Sequence, residues 1–394
     1  MLPDTPLINA IRSKDFTQAE QLFKQGETIP DTVNEFDLRQ LWDTLLRNKG
    51  FHIIYTLIDN GNINRDIYEY DSFDRSLFDS MFSYMPADEQ SVQFVKELVG
   101  KLENANDEVE GHTLLSFALK SKADPAIVQA LVDAGLRTDF KNTAQDNLIN
   151  QSVQVNMIPA EKQQAYVSTF LQAGVDLNEP NVVKQTALHL AVERDKSHLI
   201  PILLANGAQP NLADGKGNTA FYYALAHKFD PAIYSALAAK EPADFLQRNS
   251  ENQTALSEFM RMMSGSKTET ELLGLLLRDG ASLEETAPYY SNEKSGWDWL
   301  VEKPVELLQL ALEATGKEVN EADNEGNTLL HKVCSIDCNY SQETAKALYK
   351  KSKLLLEKGA DVSLTNNKDE TATDLAMKDN LKAKLVELLL NAKK

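Results

Sequence analysis

The chain has 394 residues, 42% of them apolar and 25% charged, with only 17 Gly and 13 Pro. This excludes wholesale disorder, collagen-like sequence and low complexity. Its 59 Asp and Glu against 40 Lys and Arg leave a formal net charge of −19. A field of that sign repels phosphate and anionic lipid, so neither nucleic acid nor membrane is an expected partner, and a basic protein surface is favoured.

From the N-terminus, Met1-Leu2-Pro3-Asp4 carries no basic stretch leading into an apolar one, so no secretory signal is expected. A short pattern then recurs. A threonine-like position opens a helix, a Leu-rich second helix follows, and a glycine closes the unit. The opening positions are placed at Thr5, Gln40, Arg75, Thr113, Asp146, Thr186, Thr219, Thr254, Asp298, Thr328 and Thr371. Thr5 to Thr371 in ten steps is an average spacing of about 37 residues. Glycines expected to close second helixes in left-handed conformation stand at Gly26, Gly61, Gly100, Gly135, Gly174, Gly207, Gly280, Gly316 and Gly359. Lys240 takes that place in the Thr219 unit.

The motif is clearest in Gln185-Thr186-Ala187-Leu188-His189-Leu190-Ala191, followed by Ile202-Leu203-Leu204-Ala205-Asn206-Gly207-Ala208. Gly217-Asn218-Thr219-Ala220-Phe221 and Gly326-Asn327-Thr328-Leu329-Leu330-His331 repeat its start. This pattern resembles the ankyrin repeat, a β-turn and two antiparallel helices near 33 residues with a T-P-L-H-x-A signature. The resemblance implies an all-α ankyrin-repeat solenoid of about eleven units over roughly residues 4–394. It divides into degenerate N-terminal units (1–110), regular central units (111–280) and C-terminal units with an extended hairpin and a capping repeat (281–394). At positions 40, 75, 146 and 298 the opening residue departs from the pattern, and those units rest on spacing and apolar periodicity. Ile127, Leu131 and Val132, and Leu199, Ile202, Leu203 and Leu204, are expected on inner faces that only a neighbouring unit buries. In the last unit Lys382, Lys384, Glu387, Lys393 and Lys394 are expected to form a polar outer cap, with Leu385, Leu388 and Leu389 inward.

Residues able to do chemistry are few. His189 and His331 occupy the histidine slot of the resemblance, which implies a bond to backbone between units, and His198 sits at the start of a second helix. His52, His112 and His227 have no Asp, Ser or Cys partner at a recognisable spacing. His331, Cys334 and Cys338 share one helical face within reach of a zinc ion, yet no fourth ligand lies nearby in sequence. Nucleophile-elbow, phosphate-loop, metalloprotease and dinucleotide motifs are absent. The expectation is a non-catalytic protein without metal or cofactor. With two cysteines, and no apolar run approaching the roughly 18 residues of a membrane span, a cytoplasmic monomer is expected.

Binding is the better-supported class. The residue after the histidine slot points to the concave face in the resembled family, giving the stripe Phe117, Asn150, Leu190, Tyr223, Glu258, Glu302 and Lys332, beside tip residues His112, Lys184, Lys216 and Asn218. Phe117, Leu190 and Tyr223 form an expected apolar and aromatic track, with Lys332 at its end. The alternative for Phe117 and Leu190 is packing against the next helix. Between Gly280 and Asp298 extra residues suggest a finger carrying Tyr289 and Tyr290, with Trp297 and Trp299 filling core behind it. Further insertions near 262–270 and 338–353 are expected at the end opposite the hairpins. Between Asp66 and Glu110, 12 acids face Arg75, Lys96 and Lys101 alone. The expected function is a scaffold binding protein partners through concave face and tips. The alternatives are an inhibitor of a basic enzyme or toxin acting through the acidic surface, and a cryptic metal or catalytic protein.

Overall fold

The computed structural model describes residues 5–30 and 32–392. Met1-Leu2-Pro3-Asp4 and the cap lysines Lys393 and Lys394 lie outside the described residues. Among the described residues the chain forms eleven successive helix pairs, here repeats 1 to 11, and one two-stranded sheet. It divides into two compact units. Met1–Gln209 holds repeats 1 to 6, and Pro210–Lys394 holds repeats 7 to 11. No helix among the described residues is long and apolar enough to cross a membrane.

The first helices are capped at Thr5, Asn34, Ser76, Thr113, Asn147, Thr186, Thr219, Thr254, Ser295, Thr328 and Thr371. The number of units therefore matches the sequence lattice, while four of its positions are corrected. Gln40 lies inside the helix Glu35–Arg47, and Arg75 and Asp146 each precede the true cap by one residue. Asp298 is the third residue of its helix, where its carboxylate accepts from the Ser295 backbone N–H at 2.8 Å. The physical reason is that a cap needs a short side-chain oxygen to accept an orphan N–H. Ser and Asn do this as well as Thr.

Eight of the nine expected closing glycines have positive φ; Gly100, at φ −65°, is an ordinary right-handed cap. The first helix of repeat 7 continues as a π-helical stretch, Tyr223–Lys228, ending at Phe229 in left-handed conformation. The expected 338–353 insertion is mostly helix rather than loop. The second helix of repeat 10 runs 16 residues, Gln342–Glu357.

Inner faces are buried as their periodicity predicts: Ile127, Leu131, Leu199, Leu203 and Leu204 are in the core, and Val132 and Ile202 are half-buried. Each fully buried Leu contributes about 1.5–3 kcal/mol. A second, polar device joins neighbouring repeats. Lysines at or before second helices donate to carbonyls at the end of the preceding repeat's first helix. In the first unit these are Lys162 to Lys122 O (2.7 Å) and Lys196 to Val155 O (3.2 Å). In the second they are Lys303 to Met263 O (2.6 Å), Lys351 to Val301 O (2.6 Å) and Lys382 to Cys334 O (2.8 Å). A terminal helix carbonyl is an unpaired acceptor at the negative end of the dipole, so an ammonium there is doubly favoured. This corrects Lys382, expected on the polar outer cap. It is buried, whereas Lys384 and Glu387 are exposed and Leu385 and Leu389 face inward.

The turn tips of adjacent repeats are also tied, backbone to backbone. At three junctions the tip turns on an Asn or Asp, and the N–H after that residue donates to the carbonyl two residues past its counterpart in the preceding tip. The bonds are Val182 N to Ala144 O in the first unit (2.9 Å), and Ser250 N to Lys216 O (2.7 Å) and Asn367 N to Glu325 O (3.0 Å) in the second. Gly326 permits this approach: at φ 78°, a Cβ there would stand 2.7 Å from Asn367 N.

Candidate functional site

The most distinctive surface lies in the second unit, around repeat 9. Strand β1 (Thr286–Tyr289) pairs antiparallel with β2 (Asn292–Ser295), in register Thr286 with Ser295 and Tyr289 with Asn292. Ser295 ends β2 and caps the helix Gly296–Leu300 in a reciprocal pair with Asp298. Strand therefore passes into helix without a linker. Gly296 allows this because a Cβ would meet Leu283 Cδ2 at 2.5 Å. The base of the hairpin is locked by chemistry. Tyr289 stands edge-on to Trp299 at 4.8 Å, and the Lys294 ammonium lies 4.0 Å over the Trp299 ring while pairing with Glu302 at 2.6 Å. Arg248 of repeat 8 donates to Thr286 O at 2.9 Å.

At the tip of this braced finger Tyr290 is 91% exposed. The sequence expected a finger carrying both tyrosines. Tyr290 projects, whereas Tyr289 is half-buried against Trp299. Trp297 and Trp299 are core, with Trp297 Nε1 donating to Glu284 at 2.8 Å. Beside the finger opens a groove of about 770 Å³. Lys332 is on its wall, gripped by Asp298 at 2.6 Å and Asp323 at 2.5 Å. Burial works against the Lys332 charge, but the two carboxylates outweigh it and raise its pKa. Toward repeat 7, Glu258 and Arg261 form an ion pair, and burial and the nearby Glu258 push Tyr222 up to about 12.

The expected apolar track is corrected. Phe117, Leu190 and Tyr223 are 3%, 1% and 4% exposed. Phe117 packs on Phe73 and Phe82, and Tyr223 donates to Asp214 at 2.6 Å. Short first helices sit so close to their neighbours that the stripe position is covered once its side chain is large. Asn150 and Glu258, on the same stripe, are buried too. Of the residues expected to bind, Tyr290 projects into solvent with its ring edge-on to Tyr289 at 4.6 Å, Tyr289 is braced against Trp299, Lys332 lines the groove, and Phe117, Leu190 and Tyr223 are buried. Sequence reasoning missed Lys294, Asp323 and Ser295. The available signal was the alternation of charge through Glu293-Lys294-Ser295 and Asp298 within a finger already suspected.

The histidines resolve by their hydrogen bonds. His331 Nδ1 accepts from Thr328 N and Nε2 donates to Glu370 O, which ties repeat 10 to repeat 11. His189 Nδ1 accepts from Thr186 N at 3.1 Å. With both nitrogens committed, His331 has no lone pair for a metal. Burial pushes the neighbouring Cys334 and Cys338 thiols up to about 12 and about 11, away from the thiolate a metal needs. In the first unit His112 Nδ1 lies 3.0 Å from Ser116 Oγ, which suggests a nucleophile and base. The network reads the other way. Gln151 Nε2 donates to Asp146 O, so its oxygen receives the Ser116 hydroxyl proton, and His112 must donate to Ser116. Burial lowers the His112 pKa, and the pair is a relay of donors rather than an activated serine.

A family model described as "Ankyrin repeats (3 copies)" matches residues 156–249. The human B-cell lymphoma 3 protein is 29% identical over 212 residues, 52% of this chain and 42% of its own length. Phosphocholine transferase AnkX of Legionella pneumophila is 25% identical over 217 residues, 54% of this chain and 22% of its own. The solved ankyrin repeat domain of Bcl-3 superposes with a TM-score of 0.48 at 26% identity, covering 62% of this chain and 98% of that one. The match spans less than half the length of each of these curated relatives.

Proposed function

Because this chain belongs to the ankyrin-repeat family, whose repeats are protein–protein interaction modules, we propose that it is a non-catalytic, cytoplasmic scaffold that engages a partner through the repeat-9 finger. The observation that carries this reading is Tyr290. A large side chain stands 91% exposed on a hairpin whose base is held by Tyr289, Trp299 and Lys294. An aromatic held out on a rigid support loses little entropy on binding and is the residue type that most often anchors an interface. The groove beside the finger adds charged residues, among them Lys332, Asp298 and Glu302.

The test is retention of partners from a native lysate on immobilised wild-type protein and on Tyr290→Ala, eluted by increasing salt. The proposal expects the same fold and loss of at least one retained protein. Identical retention by the two proteins would overturn it. A second reading, inhibition of a basic enzyme through the 66–110 surface, is supported by carboxylates there that enter no ion pair among the described residues, including Asp71, Asp107 and Glu108. It expects one basic protein released only at high salt, with retention unchanged by Tyr290→Ala.

A further inference from the structure

Inside the second unit the tip-to-tip backbone bond joins repeats 7 and 8 and repeats 10 and 11, and it is missing among the described residues on both sides of repeat 9; toward repeat 8 the Arg248 side chain replaces it by donating to Thr286 O. By the rule seen at Ser250 and Asn367, the N–H after the Asp323 turn, that of Asn324, should donate to the tip of repeat 9. It has no partner among the described residues, because the repeat-9 tip has been replaced by the β1–β2 hairpin. The 770 Å³ groove opens at this junction, with β2 on one side and the loop from Glu321 to Asn327 on the other.

The walls specify what fits. Seven carboxylates, from Glu284 to Glu325, line the groove with three lysines. Lys317 is held by Glu284 and Glu321 (2.8 and 2.6 Å), Lys332 by Asp298 and Asp323, and Lys294 by Glu302. All three cations are already committed. Among the described residues Glu293 on β2 and Glu325 opposite make no ion pair; Glu293 accepts from Thr286 Oγ1 and Glu325 from Asn327 Nδ2. Strand β2 lines the same space from Asn292 to Ser295, with the Ser295 N–H already given to Asp298, whereas β1 is blunted by Pro288, which has no N–H, and by the Arg248 bond to Thr286 O.

We propose that this groove seats an extended basic segment of a partner protein, which lies along β2, offers a backbone carbonyl to Asn324 N–H, and sets Lys or Arg side chains against Glu293 and Glu325. The segment restores the missing strand-like link between repeats 9 and 10, and strand addition supplies backbone bonds while side-chain pockets supply specificity. Charge complementarity selects the sequence: four surplus carboxylates disfavour an acidic segment and attract a basic one. The inference deepens the finger reading, since the finger forms one wall of the groove.

The test needs no natural partner. An eight-residue alternating Lys-Thr peptide is titrated into the full chain, with amide exchange at Asn324 and chemical shifts read by NMR. An alternating Glu-Thr peptide is the control. The expected result is saturable binding of the Lys-Thr peptide alone, at least tenfold protection of the Asn324 amide, and roughly tenfold weaker binding to Glu293→Gln/Glu325→Gln at unchanged melting temperature. Unprotected Asn324, equal affinity in the double variant, or shifts spread over 66–110 instead of 292–295 and 321–327 would each overturn the groove. Failure here leaves the Tyr290 experiment standing, and loss of the Tyr290 effect leaves this titration interpretable.

Discussion

Repeats 6 and 9 are two solutions to the same packing problem. Repeat 6 carries the Thr186 to His189 motif, buries His189 and Leu190, and bonds its tip to repeat 5 through Val182. Repeat 9 caps with Ser295, has no slot histidine, fills its core with Trp297 and Trp299, and extends its tip into a hairpin. Both are well packed, but only repeat 9 leaves a rigid aromatic in solvent and a groove beside it. Conformity to the pattern is spent on joining neighbours, and departure from it frees a tip for something else.

If repeat 9 is a true structural unit rather than a surface elaboration, Trp297→Ala should be as damaging as Leu203→Ala in repeat 6. Trp297 is expected to cost about 3–5 kcal/mol and Leu203 about 2–5 kcal/mol, read from urea midpoints. A Trp297 cost under about 1 kcal/mol would mean repeat 9 is loosely held. Phe117→Ala, at a position the spacing assigned to binding, belongs in the same class at about 3–5 kcal/mol. A binding defect in that variant without lost stability would contradict its burial.

Lys351 sharpens the comparison at the repeat 9–10 junction, where a buried ammonium meets Val301 O. Burial lowers its pKa to about 8, only partly offset by Glu302 and Glu306. The unfolded chain holds this proton up to about pH 10.4, so the folded state binds fewer protons between the two values and stability rises with pH there. The gain is at most about 3 kcal/mol and should appear in thermal melts from pH 7 to 10. Lys351→Met should flatten that rise.

A smaller effect is expected where histidine ties repeat 10 to repeat 11. His331→Ala should cost about 1–3 kcal/mol by orphaning Thr328 N and Glu370 O, measured by denaturation, and a neutral result would remove the bridging role. Smallest is Tyr290→Ala, expected within about 0.5 kcal/mol of wild type because the side chain is 91% exposed and its ring contact is the edge of Tyr289. A larger loss would mean the finger is structural.

Periodicity determined the inner-face leucines and most closing glycines, and the ankyrin resemblance that the repeated motif carries implied the all-α architecture and the number of units. Burial and left-handed turns leave unmistakable residue choices behind: Leu203 cannot sit in water cheaply, and Gly207 takes a φ of 98° that other residues resist. The cap register was half legible, since Thr, Ser, Asn and Asp all accept the same N–H and only geometry tells Asn34 from Gln40. Which stripe residues face solvent was not legible. Whether Phe117 or Tyr290 is covered depends on how closely the neighbouring chain segment approaches, a distance set by every other side chain in the stack. The same holds for Lys382 and for the Lys332 clamp. Their partners lie 48 and 34 residues away in sequence, so only the folded chain brings the charges and carbonyls together.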